Sequence, residues 1–284
     1  MTLLTVKHKG VEQLTNVAKA WTEKYAEMSH GKTRYWEAGS GYPTILVHGA
    51  GWTSGCESWV RNIGPLSEKL HVFAIDALNW GIGDVFPQDF SFAYLVDHVR
   101  EFMDVLGIEK ANFAGHSMGG WIVTLLSYES PERINKVVNV AGGGTATRPL
   151  QNMVEFKVPS EDQIREQIKH RFPEGTVNTE EIVATFVKKN SLPGHGDAFA
   201  GVMRHMTNPE TRIRYNTLRR MPHIKIPTLV CWGTDDQTND YEMGKQTAAT
   251  IPGAQLETFE GVSHMLPQQA ADRFNDVVLE FLTQ

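Results

Sequence analysis

The sequence predicts an α/β protein: a mostly parallel sheet covered by helices on both faces, with a helical segment inserted late in the chain. Three observations predict it. From Arg34 onward, short near-continuous apolar runs recur, each followed by a loop and an amphipathic stretch. That is the pattern of strands buried on both faces between crossover helices. Between about Thr145 and Pro222 the alternation stops and helix signals dominate. It then resumes at Ile226–Trp232 and closes in an amphipathic helix from about Pro267 to Leu282. A chain of 284 residues is long enough for one large domain with an inserted subdomain.

Taken in order, residues 1–30 read as a helical extension. Val11, Leu14, Val17, Ala18 and Trp21 recur at helical spacing within 11–25. Core packing is the simpler use of that face; packing on a second copy would make a homo-oligomer. Strands are expected at 33–38, 44–47, 71–76, 111–115, 136–140, 228–232 and 255–260. A helix is expected from Ser91 to Leu106, stopped by Gly107. In the insert, Ser160 with Gln163 and Asn178 with Glu181 have capping-box spacing. Asn208-Pro209 marks a further helix start. The domain boundaries that follow are a core of 1–144 plus 223–284 and a helical cap of 145–222. Phe156, Phe172, Phe186, Leu192, Phe199, Met203 and Met206 give the cap its apolar surface. Most must pack the cap, and a few remain to face a ligand.

The stretch richest in chemistry is Gly115-His116-Ser117-Met118-Gly119-Gly120, between a strand run (Ala111–Ala114) and a helix run (Trp121–Leu126). Strand, Gly-x-Ser-x-Gly, helix is the context of a nucleophile elbow. A turn this sharp needs flanking residues with almost no side chain. It leaves Ser117 at a helix N-terminus, where backbone N–H groups favour negative charge. The bland reading, a capping serine in a Gly-rich turn, explains only this segment.

Other segments complete a set. His264, in Gly261-Val262-Ser263-His264, follows the expected last strand, where an imidazole could reach the serine. Alone it would pass for a structural histidine. Gly233-Thr234-Asp235-Asp236 follows the buried run ending at Trp232. A carboxylate there would orient the imidazole. The Gly-x-x-Asp spacing favours Asp236 and leaves Asp235 as a solvated turn residue. Upstream, His48-Gly49-Ala50-Gly51 follows the strand Thr44–Val47. Backbone N–H groups of Ala50 and Met118 are the expected oxyanion donors. His48 itself reads as a residue that holds the turn. All these positions fall at strand C-terminal ends, where open α/β sheets bind ligands.

With these motifs in the order Ser, Asp, His, the chain resembles the α/β-hydrolase superfamily, from about Arg34 to Leu282. It looks most like the bacterial meta-cleavage-product hydrolases and related esterases. His48–Gly51, Arg61-Asn62-Ile63-Gly64-Pro65-Leu66 and Gly115–Gly120 carry that narrower resemblance. The resemblance implies Ser117, Asp236 and His264 as triad and Ala50 and Met118 as oxyanion donors. It also implies a tryptophan after the histidine, where this chain has Met265, and a substrate-binding arginine in a cap helix, where it has Phe186. Lys188 or Lys189 stands nearby as a substitute cation, without arginine's planar fork. The family's Asp-x-Pro-Gly-x-Gly-x-Ser loop is altered to Asp76-Ala77-Leu78-Asn79-Trp80-Gly81-Ile82-Gly83-Asp84.

Composition narrows the partners. Formal charge is −6 with no basic block, which argues against nucleic acid. Arg219-Arg220 and Lys188-Lys189 read as solvated helix faces. No signal-peptide pattern and no long apolar run is present, so no membrane partner is expected. Two cysteines, Cys56 and Cys231, suggest no disulfide framework and fit a reducing cytoplasm. The histidines lack ligand spacing, so no metal and no cofactor is expected. The leading reading is a serine hydrolase of a small, largely apolar ester or related acyl substrate. The alternative is a C–C bond hydrolase acting on a vinylogous diketone. Two remoter readings remain. One is a non-catalytic ligand-binding fold. The other is a dinucleotide site, since Gly49-Ala50-Gly51, Gly55 and Asp76 mimic its fingerprint.

Overall fold

The computed structural model describes residues 20–87, 90–146 and 154–284. The sheet begins with a hairpin, β1 (Thr22–Met28) and β2 (Gly31–Ala38), closed across Ser29 and His30. Then come β3 (Tyr42–Val47), a short 3₁₀ turn (Cys56–Trp59), α1 (Ile63–Ser67) and β4 (Leu70–Ile75). The next units are α2 (Phe92–Val105), β5 (Ala111–His116), α3 (Met118–Glu129) and β6 (Ile134–Val140). The insert carries α4 (Glu161–Arg171), α5 (Thr179–Ser191), α6 (His195–Thr207) and α7 (Pro209–Arg214). The chain returns through β7 (Thr228–Gly233), α8 (Tyr241–Thr250) and β8 (Gln255–Phe259), and ends in α9 (Leu266–Gln269) and α10 (Ala271–Thr283).

The eight strands lie in the order β1-β2-β4-β3-β5-β6-β7-β8. Pairs β1/β2 and β2/β4 are antiparallel and the rest parallel. Alternate side chains feed opposite faces, as the strand period of two demands. Ile45, Val47 and Phe113 enter the core under α2 and α3. Leu46 and Ala114 enter the other, under α1 and α10. Every residue of β5 and β7 is buried, which is why those runs lack polar alternation.

The helix starts of the insert follow their side-chain signals. Ser160 accepts from Gln163 N, Asn178 from Glu181 N, and Asn208 from Glu210 N and Thr211 N. Helices α4 and α5 share their own apolar cluster, with Ile164, Ile168, Phe172, Ile182, Val183 and Phe186. Helix α6 instead sends Phe199, Val202 and Met203 into the main core.

Two expected elements differ. The helix expected over 11–25 falls mostly outside the described residues, but its end does not: residues 22–28 are β1. Their pairing with β2 outweighs helical spacing, and Trp21 stacks on Trp36 with ring centroids 4.5 Å apart. The single helix expected from Pro267 to Leu282 is two, broken at Ala270 (φ −113°, ψ 37°). The short first piece is held by tertiary polar contacts. Asn62 donates to Pro267 O at 3.0 Å, and buried Gln268 donates to Ser58 O at 2.7 Å.

Candidate active site

Ser117 stands between β5 and α3 with φ 55° and ψ −110°. That backbone conformation is unfavourable for a residue with a Cβ and costs on the order of 1–3 kcal/mol. It is fixed from three sides: Ser117 N donates to Val140 O at 2.9 Å, and Gly143 N and Trp121 N donate to Ser117 O. The flanking glycines are needed for space. A Cβ on Gly115 would lie 2.3 Å from Gly119 O, and one on Gly119 would lie 2.0 Å from Val47 O.

The acid and the imidazole are joined. His264 Nδ1 lies 2.7 Å from Asp236 Oδ2, both groups buried. The other carboxylate oxygen accepts from Thr238 N and Asn239 N, each at 2.8 Å. Asn239 ties this turn to the end of β6 by donating to Ala141 O at 2.7 Å. Asp236 is therefore the partner, and the exposed Asp235 carboxylate accepts, among the described residues, from the Thr234 hydroxyl at 3.2 Å.

A second histidine supports the first, and the sequence reading passed over it. His116 is buried, and its Nε2 donates to the His264 carbonyl at 2.8 Å. Burial and the neighbouring His264 push it well below the usual imidazole range, so it is neutral and donates from Nε2. Its only sequence signal is its place inside the Gly-x-Ser-x-Gly run.

The turn after β3 abuts the elbow. A Cβ on Gly49 would lie 3.3 Å from Ser117 Cβ. His48 is fully buried, and burial pushes its imidazole down to about 4. It accepts from Ala77 N at Nε2 and donates from Nδ1 to Gly49 O, which holds the turn as expected. Among the described residues, no protein acceptor meets the amide of Ala50 or of Met118.

Ser117, His264, Gly49, Ala50 and His116 all line one cavity of about 1280 Å³. No hydrogen bond joins Ser117 Oγ to His264 among the described residues; such contacts often tighten only around a bound substrate. Across the cavity, Trp52, Phe156 and Phe199 form an aromatic wall with ring centroids 4.6–5.4 Å apart. Met203 and Met265 add to it. Phe172, Phe186 and Met206 are buried in packing instead.

The cavity's buried cation is Arg171, at the end of α4. Its guanidinium donates to Thr53 O and to Thr53 Oγ1, and no carboxylate pairs with it among the described residues. Burial lowers it to about 10. Arg171 continues the buried stripe of Ile164 and Ile168, and a charge on an apolar stripe was the available signal. The lysines proposed for this task are elsewhere. Lys188 is exposed. Lys189, expected on a solvated face, is fully buried against Trp52 and away from the cavity wall.

The dinucleotide reading does not survive. Asp76 is taken by Arg34 at 2.7 Å and by Cys56 N at 2.8 Å. The glycines at 49–51 lead into a 3₁₀ turn rather than a phosphate-binding helix. Both cysteines are free and buried. Among the described residues, no helix is long and apolar enough to cross a membrane, and no cluster of three His, Cys, Asp or Glu could hold a metal.

The sequence profile described as "Alpha/beta hydrolase family" matches residues 44–277. A 2-hydroxy-6-oxononadienedioate/2-hydroxy-6-oxononatrienedioate hydrolase of Comamonas testosteroni is 30% identical, covering 87% of this chain and 89% of its own. A 2-hydroxy-6-oxo-6-phenylhexa-2,4-dienoate hydrolase of the same species is 29% identical, covering 95% and 100%. Among solved structures, a meta-cleavage product hydrolase of Pseudomonas fluorescens superposes with TM-score 0.77 at 26% identity, covering 92% and 97%.

Proposed function

The chain belongs to the alpha/beta hydrolase family, and within it we propose that Ser117, His264 and Asp236 form a catalytic triad that cleaves a carbon–carbon bond next to a ketone. The observation that carries this is the buried Asp236–His264 pair, whose imidazole lines the cavity that Ser117 also lines. Ser117 Oγ attacks the carbonyl carbon while His264 Nε2 takes its proton. The carbonyl oxygen gains charge and accepts from the N–H groups of Ala50 and Met118. Collapse breaks the bond to the leaving group, which takes the proton from His264. Water, activated by the same imidazole, then releases the acid from Ser117.

The same steps cleave an ester, the simpler reading of the sequence. Three observations favour the C–C alternative. The curated relatives quoted above are named as hydrolases of dienoates and dienedioates. Arg171 offers such an acid a buried cation whose partners among the described residues are neutral. The aromatic wall of Trp52, Phe156 and Phe199 suits an apolar remainder. A carbon leaving group must also delocalise its electron pair, and a vinylogous diketone does so.

Rates with 2-hydroxy-6-oxo-6-phenylhexa-2,4-dienoate and with p-nitrophenyl butyrate test the reading. The dienoate is expected to have the higher kcat/KM, by at least roughly tenfold. Ser117→Ala removes both activities, and Arg171→Met raises KM for the acid alone. A faster ester, by the same margin, returns the simpler reading.

A further inference from the structure

Lys189 is a fully buried lysine on α5, and the proposed mechanism does not use it. Lysine is almost never fully buried without an anionic partner. Among the described residues no salt bridge reaches this one; burial pushes its ammonium down to about 7, and Asp76 and Glu57 oppose that only from a distance. Its nearest ring is that of Trp52, with Phe199 beyond at 5.1 Å. Its Nζ sits 3.9 Å from the centroid of the indole ring and donates to Trp52 O at 3.2 Å. The next residue, Asn190, accepts from the indole Nε1 at 3.0 Å. Consecutive residues of α5 thus grip the face, the edge and the backbone of one tryptophan.

Trp52 is two residues beyond Ala50, in a turn with little support of its own. Gly49 and Gly51 contribute no side chains. Within the core the turn is held mainly by His48, by Ser54 N donating to Gly51 O at 3.0 Å, and by Trp80 Nε1 donating to Gly51 O at 3.1 Å. The cap holds its far side, where Gln167 and Arg171 of α4 bind the Thr53 hydroxyl.

We propose that the cap clamps the oxyanion turn, with Lys189 as the positioning residue that fixes Trp52 and, through it, the Ala50 N–H. This rests on the oxyanion reading given above. Preorganised donors act only when held at the place where charge develops. The Nζ bond to Trp52 O, joined when the amine is protonated by its charge over the indole, gives a directional hold that an apolar side chain of equal volume lacks. Lys189 stands behind Trp52 and Phe199, which line the cavity, and does not line it itself, so replacing it removes no direct substrate contact.

The test compares wild type, Lys189→Met and Asn190→Ala with a dienoate or ester substrate and with phenylboronic acid, which binds serine hydrolases as a tetrahedral adduct. Thermal unfolding of each variant checks that it folds. In Lys189→Met, kcat and boronate affinity are expected to fall together by roughly tenfold, below the ~10²–10³ of losing a donor outright. KM stays within about twofold, a split that general loosening of the cap would not give. Asn190→Ala, the milder change, shows the same split by about threefold and stands in if Lys189→Met does not fold. Unchanged kcat and boronate affinity in a folded variant overturns the clamp. A wild type that binds no boronate and keeps its activity in Ser117→Ala overturns the site reading itself, and the clamp with it.

Discussion

Replacing Asp236 by asparagine changes one atom and, on this geometry, reverses the imidazole. The Asp236 oxygen away from the histidine accepts two backbone N–H bonds, from Thr238 and Asn239 at 2.8 Å. An asparagine must keep its carbonyl oxygen there. Turned the other way, its NH₂ would face those two donors and leave them unpaired, at about 1–3 kcal/mol each. The NH₂ is therefore forced to the second position, 2.7 Å from His264 Nδ1. Nδ1 must then accept, so the ring proton moves to Nε2, the atom that takes the proton of Ser117 in the proposed mechanism. The wrong tautomer is expected to lower kcat on the order of 10⁴-fold, equivalent to about 5.5 kcal/mol of barrier. Folding should change little, since the turn keeps its bonds. Asp235→Asn touches one exposed bond to Thr234 and should stay within about twofold. Steady-state rates on a dienoate and an ester, with thermal unfolding of each variant, measure both quantities. A turnover within tenfold of wild type in Asp236→Asn, or an equal loss in Asp235→Asn, refutes the assignment of the acid.

Other expectations concern the elbow and acid stability. Gly119→Ala places a Cβ 2.0 Å from Val47 O, a backbone atom that cannot swing away. A loss of roughly 3 kcal/mol or more in denaturant unfolding, together with activity, is expected; normal stability would mean that the elbow relaxes freely. His48 and His98 are buried, and burial pushes them down to about 4 and about 3. Both are neutral in the fold and charge on unfolding at the ordinary histidine value near 6.5. The unfolded chain therefore binds more protons below that value, and stability falls as pH falls. Between pH 6.5 and 5, before most carboxylates titrate, the slope should approach about 1.4 kcal/mol per unit for each imidazole. Urea midpoints measured across that window would contradict this by staying flat.

The strands, the elbow at Ser117 and the pairing of Asp236 with His264 were legible in the sequence. Each rests on chemistry local in the chain: an apolar run, a glycine pair where no Cβ fits, a turn after a strand. The capping residues Ser160, Asn178 and Asn208 were legible for the same reason, because a cap bonds to backbone two or three residues away. Tertiary structure decided the rest. Residues 22–28 form a strand because β2 is there to pair with them. Helices α9 and α10 are separate because Gln268 and Pro267 are held from residues 58 and 62. The cap's charges were the least legible. Lys188 and Lys189 are neighbours in sequence, yet one is exposed and the other buried against Trp52. Arg171 looks like an ordinary basic residue at a helix C-terminus until the fold brings Thr53 to it. A buried charge is settled by its partners, and these partners lie more than a hundred residues away along the chain.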